Sequence, residues 1–186
     1  MIEALRADLL RARSDGGGEV SVLHAVVNSH GFQALVVYRA GRWLRSARGR
    51  PAGWLLAPLL SPGYWLLAKA IQLLYDIRLE PSADIGPGLL IHHLGGIRVR
   101  DCRLGSNCVI HQEVVIEPAG EGLAGPHLGD RVWVGPHAQV VGAARVGDGA
   151  TVGAGAVVTQ DVPSRAMVLG NPARVARSNY DNSELP

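Results

Sequence analysis

Apolar residues recur along this chain with two different periods, and the change falls near residue 76. Over residues 1–75 the spacing is helical. Leu5, Leu9 and Leu10 share one face of a first helix, which a polar stretch with three glycines, Ser14 to Glu19, brings to an end. Val20 to Arg48 reads as a second helical region, interrupted around Ser29-His30-Gly31. Within it Leu35, Tyr38, Arg39 and Leu44 follow the 3.6-residue period. From Trp54 to Tyr75 the only charge is Lys69. Pro58 and the Ser61-Pro62-Gly63 turn are expected to divide this segment into two short buried helices rather than leave a membrane span.

From Leu79 onward the period is six. Aliphatic residues stand at 79, 85, 91 and 97. One residue is then added before 104, 110 and 116, and after a gap the count resumes at 128, 134, 140, 146, 152 and 158. A second, usually small, inward candidate follows four residues after most of these: Ala83, Cys108, Val114, Val132, Ala138, Ala144, Ala150 and Ala156. Each hexad forms one short flat strand and a corner, and three hexads make a triangular coil that must stack on others to bury its face. About five coils fit between residues 79 and 170. An antiparallel sandwich would instead show alternation of period two, broken by hairpin turns. The fold class is therefore α+β, a helical region followed by a parallel β-helix. The expected division is 1–75 helical, 76–174 β-helix and 175–186 tail. Residues 117–125 lack the aliphatic expected at 122 and are expected to leave the prism as a loop. Trp133, one residue before an inward position, should face outward, where a subunit interface suits so large an apolar surface.

Composition narrows the function. Glycine, at 24 of 186 residues, fits many tight corners. A net charge of +2 with scattered arginines gives no footprint for nucleic acid. Cys102 and Cys108 lack metal-ligand spacing and read as small core residues of a reduced protein. The N-terminus carries Glu3 and Asp8 and has no long apolar run, so a signal peptide is not expected there. A cytoplasmic protein without membrane contact is the expectation.

Gly31-Phe32-Gln33-Ala34-Leu35 with Tyr38-Arg39 and Trp43-Leu44 resembles the helical stretch of serine acetyltransferases, and Asp76-Ile77 followed by Pro81, Ala83, Ile85-Gly86 and Gly88 is likewise similar to that family. His93-Leu94-Gly95-Gly96-Ile97 resembles the His-x-x-Gly-Ile of its catalytic coil. The run from Gly153 through Val162-Pro163 to Gly170-Asn171-Pro172-Ala173-Arg174 is typical of hexapeptide acyltransferases generally. The resemblance implies a left-handed coil, a homotrimer with sites between neighbouring prisms, and acetyl transfer from acetyl-CoA to a hydroxyl. It implies His93 as general base and Asp76 as its orienter, a pairing that fixes the tautomer and stabilises the imidazolium. It also implies CoA contacts at Pro136, Thr151, Ala154 and Gly155, with Arg174 near a phosphate.

Two positions depart from the family. His92 stands where it has an aspartate, and Ala124-Gly125-Pro126 stands where it has Arg-His-Pro. His127 is the candidate substitute for the missing histidine, and Glu117 and Glu121 are loop carboxylates that could meet an acceptor. The repeat places His92 and His111 at the same offset of successive coils, about 5 Å apart. Both become candidate acceptor-binding residues, with His127. No metal site is expected. Serine, a sugar or another neutral alcohol all remain open as acceptor, as does a trimeric scaffold that has lost catalysis. The tail lacks the terminal isoleucine by which the family docks to its partner enzyme.

Overall fold

The computed structural model describes residues 1–14, 21–47, 53–93, 95–183 and 185. The polar stretch after residue 14 and Leu94 of the His93 motif thus lie largely outside the described residues. Among the described residues, four helices precede residue 76: α1 (Ile2–Ser14), α2 (Val22–Asn28), α3 (His30–Ala47) and α4 (Gly53–Tyr75). Ser29 separates α2 from α3 and caps the latter. Its hydroxyl accepts the Phe32 N–H at 3.3 Å and its carbonyl the Gln33 N–H at 3.0 Å.

Fourteen short strands among the described residues then wind into a parallel solenoid. β1 (Ile77–Leu79), β2 (Asp84–Ile85) and β3 (Leu90–Ile91) form the first coil, and β4 (Ile97–Val99), β5 (Arg103–Leu104) and β6 (Val109–Ile110) the second. β7 (Val115–Glu117), β8 (His127–Leu128) and β9 (Trp133–Val134) form the third, and β10 (Gln139–Val141), β11 (Arg145–Val146) and β12 (Thr151–Val152) the fourth. β13 (Val157–Val158), a bridge at Val162 and β14 (Met167–Leu169) complete the fifth. A last strand, β15 (Arg174–Arg177), returns antiparallel to β14. The three walls of the prism are sheet A (β1-β4-β7-β10-β13), sheet B (β2-β5-β8-β11) and sheet C (β3-β6-β9-β12-β14-β15).

One aliphatic column fills the prism behind each wall. Leu79, Val99, Ile116, Val140 and Val158 are in register on sheet A, Ile85, Leu104, Leu128 and Val146 on sheet B, and Ile91, Ile110, Val134, Val152 and Val168 on sheet C. The register corrects the six-residue count at one point. Val99, not Ile97, occupies the aliphatic position of β4, paired with Leu79 and Ile116. The single added residue therefore resolves into two extra residues in the corner after Ile91 and one fewer between Val99 and Leu104. That enlarged corner carries His93. The gap in the repeat is a loop between β7 and β8, with residues 121–124 exposed.

The helices seal the first coil. Asp8 of α1 is 1% exposed and receives Arg39 Nε at 3.0 Å and the Gly88 N–H at 2.7 Å, while Arg39 also donates to the carbonyls of Ile85 and Gly86. An ion pair thus joins α1, α3 and the β2–β3 corner. Gly31 permits the same close docking, since a Cβ there would meet Ile91 at 2.7 Å. The buried face of α1 centres on Asp8 rather than on the leucines, and Leu10 is exposed.

α4 is one continuous helix, not the two pieces expected from its prolines. Packing overrides local preference here. Ile71 and Tyr75 rest against the core, Tyr64 closes on Gly41 of α3, and the Tyr75 hydroxyl donates to Gln33 Oε1 at 2.8 Å. The opposite face leaves Leu59, Leu66, Leu73 and Leu74 exposed beside Trp65. Among the described residues, no helix is long and apolar enough to cross a membrane.

Both cysteines are buried and unlinked. Burial raises the Cys102 thiol to about 12, with the Asp101 and Asp84 charges adding to the effect, and burial likewise raises Cys108 to about 11. Neither thiol is expected to react with an aromatic disulfide at neutral pH in the folded protein, whereas two per chain react after denaturation. Because the unfolded thiols ionise near 9 and the folded ones well above it, the unfolded state binds fewer protons above pH 9, and stability falls as pH rises from there. Rapid labelling of the native protein would contradict this burial.

Candidate active site

The edge where sheet C turns into sheet A positions most of the candidate residues. Each coil contributes a corner to this edge: His92 and His93 from the first turn, Glu113 from the second, His137 from the third, and Ala154 and Gly155 from the fourth. Main-chain hydrogen bonds lace the corners together, from Glu113 N–H to Gly95 O (2.8 Å), His137 N–H to Gln112 O (3.0 Å) and Gly155 N–H to Pro136 O (2.8 Å). His93, Glu113, His137 and Gly155 all adopt left-handed backbone, with φ of 63°, 59°, 59° and 67°. Left-handed geometry is therefore a property of the edge, not a mark of chemistry at His93.

What distinguishes the His93 corner is its size and its fastening. Two extra residues push it outward, and His93 is exposed. Asp76 ends α4 in left-handed backbone, φ 49°, so that its main chain and its carboxylate both reach this corner. Its carbonyl accepts the Ile97 N–H at 3.1 Å, and Oδ2 accepts the Gly96 N–H at 3.0 Å. Asp76 thus reaches the turn that carries His93, but among the described residues its carboxylate grips that turn through Gly96 and makes no hydrogen bond to the His93 ring. Gly96 itself has φ 66°, and a Cβ there would overlap the Glu113 carboxylate. Only glycine fits.

His92 and His111 stack with ring centroids 5.0 Å apart and planes 11° from parallel, and Trp133 packs on His111 at 4.5 Å. His111 is 6% exposed, and its Nδ1 lies 2.9 Å from the Val134 carbonyl, so it braces His92 more than it faces solvent. The His92 and His93 rings are 6.0 Å apart.

Other expected residues lie elsewhere in the single chain. His127 projects from sheet B between Arg103 and Arg145, in a separate groove of about 490 Å³ with Asp148 and Asp161. Thr151, in β12, is fully buried, and the CoA contact expected of it has no exposed surface to be made on. Pro136, Ala154 and Gly155 do lie on the edge. The Ala173 N–H donates to the Val157 carbonyl, which holds the start of β15, and with it exposed Arg174, near the far end of that edge. Glu117 is engaged by Arg100 at 3.0 Å, while Glu121 is exposed in its loop. A Cβ at Gly125 would overlap the Asp101 carbonyl, so this loop path has no room for the histidine that the sequence resemblance leads one to expect there.

The sequence did not single out the groove beside the His93 corner. It measures about 400 Å³ and is lined by Asp76, Arg78, Arg98, Glu113, His137 and Gln139, among others. Five of those six side chains are ionisable. No cluster of three or more metal-ligating side chains occurs among the described residues.

Comparison with known proteins agrees with this architecture. Residues 125–160 match the family model for bacterial transferase hexapeptide (six repeats). The chain is 34% identical to the serine acetyltransferase of Synechococcus elongatus over 84% of its length, and 35% identical to that of Escherichia coli K12 over 78%. It spans 63% of the first relative and half of the second. The structure of soybean serine acetyltransferase complexed with serine superposes with a TM-score of 0.76 at 34% identity, covering 93% of this chain and 68% of the soybean chain. At 34% identity over 68% of the soybean chain, and with the hexapeptide repeat matched, this chain belongs to the serine acetyltransferase family of hexapeptide-repeat transferases.

Proposed function

We propose that this chain transfers an acetyl group from acetyl-CoA to the hydroxyl of a small acceptor, with His93 as general base and Asp76 as its positioning residue. The observation that carries this reading is the enlarged, exposed His93 corner, which Asp76 fastens through Gly96, at the head of the edge that also presents Pro136, Ala154 and Gly155. His93 accepts the acceptor's hydroxyl proton as the oxygen bonds to the thioester carbonyl carbon. The carbon–sulfur bond then breaks, and the proton passes from the imidazolium to the departing CoA sulfur. Acetyl-CoA lies along the edge, its acyl end at His93 and its phosphates toward Arg174. His92, braced by His111, borders the acceptor. Serine is the acceptor named for the soybean relative and the first to try.

His127 joins this site only across a subunit boundary, because it stands on sheet B. A homotrimer of side-by-side prisms provides such a boundary and also covers Trp133. A second reading, a scaffold without catalysis, draws support from Gly125 in place of the family's histidine. Thiol release from acetyl-CoA across L-serine, simple sugars and nucleotide sugars separates the two. Turnover with any acceptor supports the enzyme, while no release together with no CoA binding supports the scaffold. The buried Cys102 and Cys108 keep the protein itself silent in a thiol assay.

A further inference from the structure

The groove beside the His93 corner contains a pair of arginines whose arrangement is unfavourable in the absence of a ligand. Arg78 of β1 and Arg98 of β4 are direct register partners on parallel strands, and both point outward from sheet A and are exposed. Neighbouring strands lie about 4.8 Å apart, and like charges directly opposite each other destabilise a sheet. Other arginines nearby are neutralised: Arg39 by Asp8, Arg42 and Arg103 by Asp84, and Arg100 by Glu117. Among the described residues, Arg78 and Arg98 form no ion pair, although Asp76 and Glu113 line the same groove. Those two carboxylates are turned to the corner instead. Asp76 accepts the Gly96 N–H, and Glu113 packs against Gly96 from the coil below.

We infer that Arg78 and Arg98 form an anion clamp that selects an acceptor alcohol bearing a carboxylate or phosphate group. Adjacent guanidiniums present several N–H donors in a plane suited to either oxyanion. The clamp stands on the strand face beside the corner that holds the candidate base, so an acceptor anchored there places its hydroxyl toward that corner. This inference rests on the acyltransferase reading of the site for its choice of ligand, but the clamp can be tested separately.

The experiment compares the native protein with Arg98→Gln, Arg98→Lys and the double variant Arg78→Gln/Arg98→Gln. L-Serine, L-serinamide, glycerol 3-phosphate and glycerol serve as acceptors. The native protein is expected to prefer L-serine over L-serinamide, or glycerol 3-phosphate over glycerol, according to which oxyanion the clamp takes. Arg98→Gln is expected to raise the KM for the preferred anionic acceptor by roughly 10- to 100-fold, with kcat and the KM for acetyl-CoA changing little. Arg98→Lys is expected to recover part of the loss. No preference for an anionic acceptor, an unchanged acceptor KM in the double variant, or a rise in the acetyl-CoA KM alone would overturn the clamp. Calorimetric titration with L-serine and glycerol 3-phosphate covers the case of no turnover. Binding lost in the double variant would uphold the clamp while the acyltransferase reading fell, and equal or absent binding in both proteins would overturn it.

Discussion

Replacing Arg39 with methionine is expected to destabilise the protein by about 3–5 kcal/mol, because it leaves the Asp8 carboxylate buried without its cation. The Asp8 side chain has no exposed surface and Arg39 is 8% exposed, so water cannot take the place of the lost partner. Arg39 also donates to the carbonyls of Ile85 and Gly86, which lose a donor in the same variant. With a urea m-value near 2 kcal/mol/M, the midpoint falls by on the order of 2 M. Adding Asp8→Asn to the variant removes the stranded charge and is expected to restore part of the loss. A midpoint within about 0.3 M of the native value would mean that the helices dock without this pair.

His93→Ala is expected to lower kcat by roughly 100- to 10,000-fold, the range over which a positioned general base contributes. The fold is expected to survive, because the His93 side chain is exposed and belongs to neither the prism core nor the His92–His111 stack. CoA affinity should change little, since its candidate contacts lie further along the edge. A variant that retains native kcat with its best acceptor would remove His93 from the base role. Loss of CoA binding together with activity would point to a structural defect instead.

The periodicity was enough to read the solenoid because its cause is local. One inward aliphatic per flat strand leaves a six-residue mark on any chain that winds this way. The same count placed His92 over His111 at about 5 Å, and their rings stack at 5.0 Å. Where two nearly equal registers compete, the pattern loses its power. Ile97 and Val99 are both buried and aliphatic, and counting from Ile97 moves Arg98 off the face it shares with Arg78. The charged groove was hidden by that choice. Asp8 was hidden for another reason, since a carboxylate on a helix face reads as solvated until Arg39 and the Gly88 N–H are seen to meet it. α4 escaped because two prolines argue locally for breaks, while its packing on α3 and the first coil is a tertiary fact.

Mass-spectrometric analysis of the reaction products shows whether this edge performs O-acetyl transfer. The native protein, incubated with acetyl-CoA and L-serine or another hydroxyl compound from the acceptor panel, is expected to yield the O-acetylated acceptor and free CoA in equal amounts. His93→Ala under the same conditions is expected to yield almost none. Free CoA without an acetylated acceptor, or no product with any hydroxyl compound from a protein that nevertheless binds CoA, would contradict O-acetyl transfer at this edge.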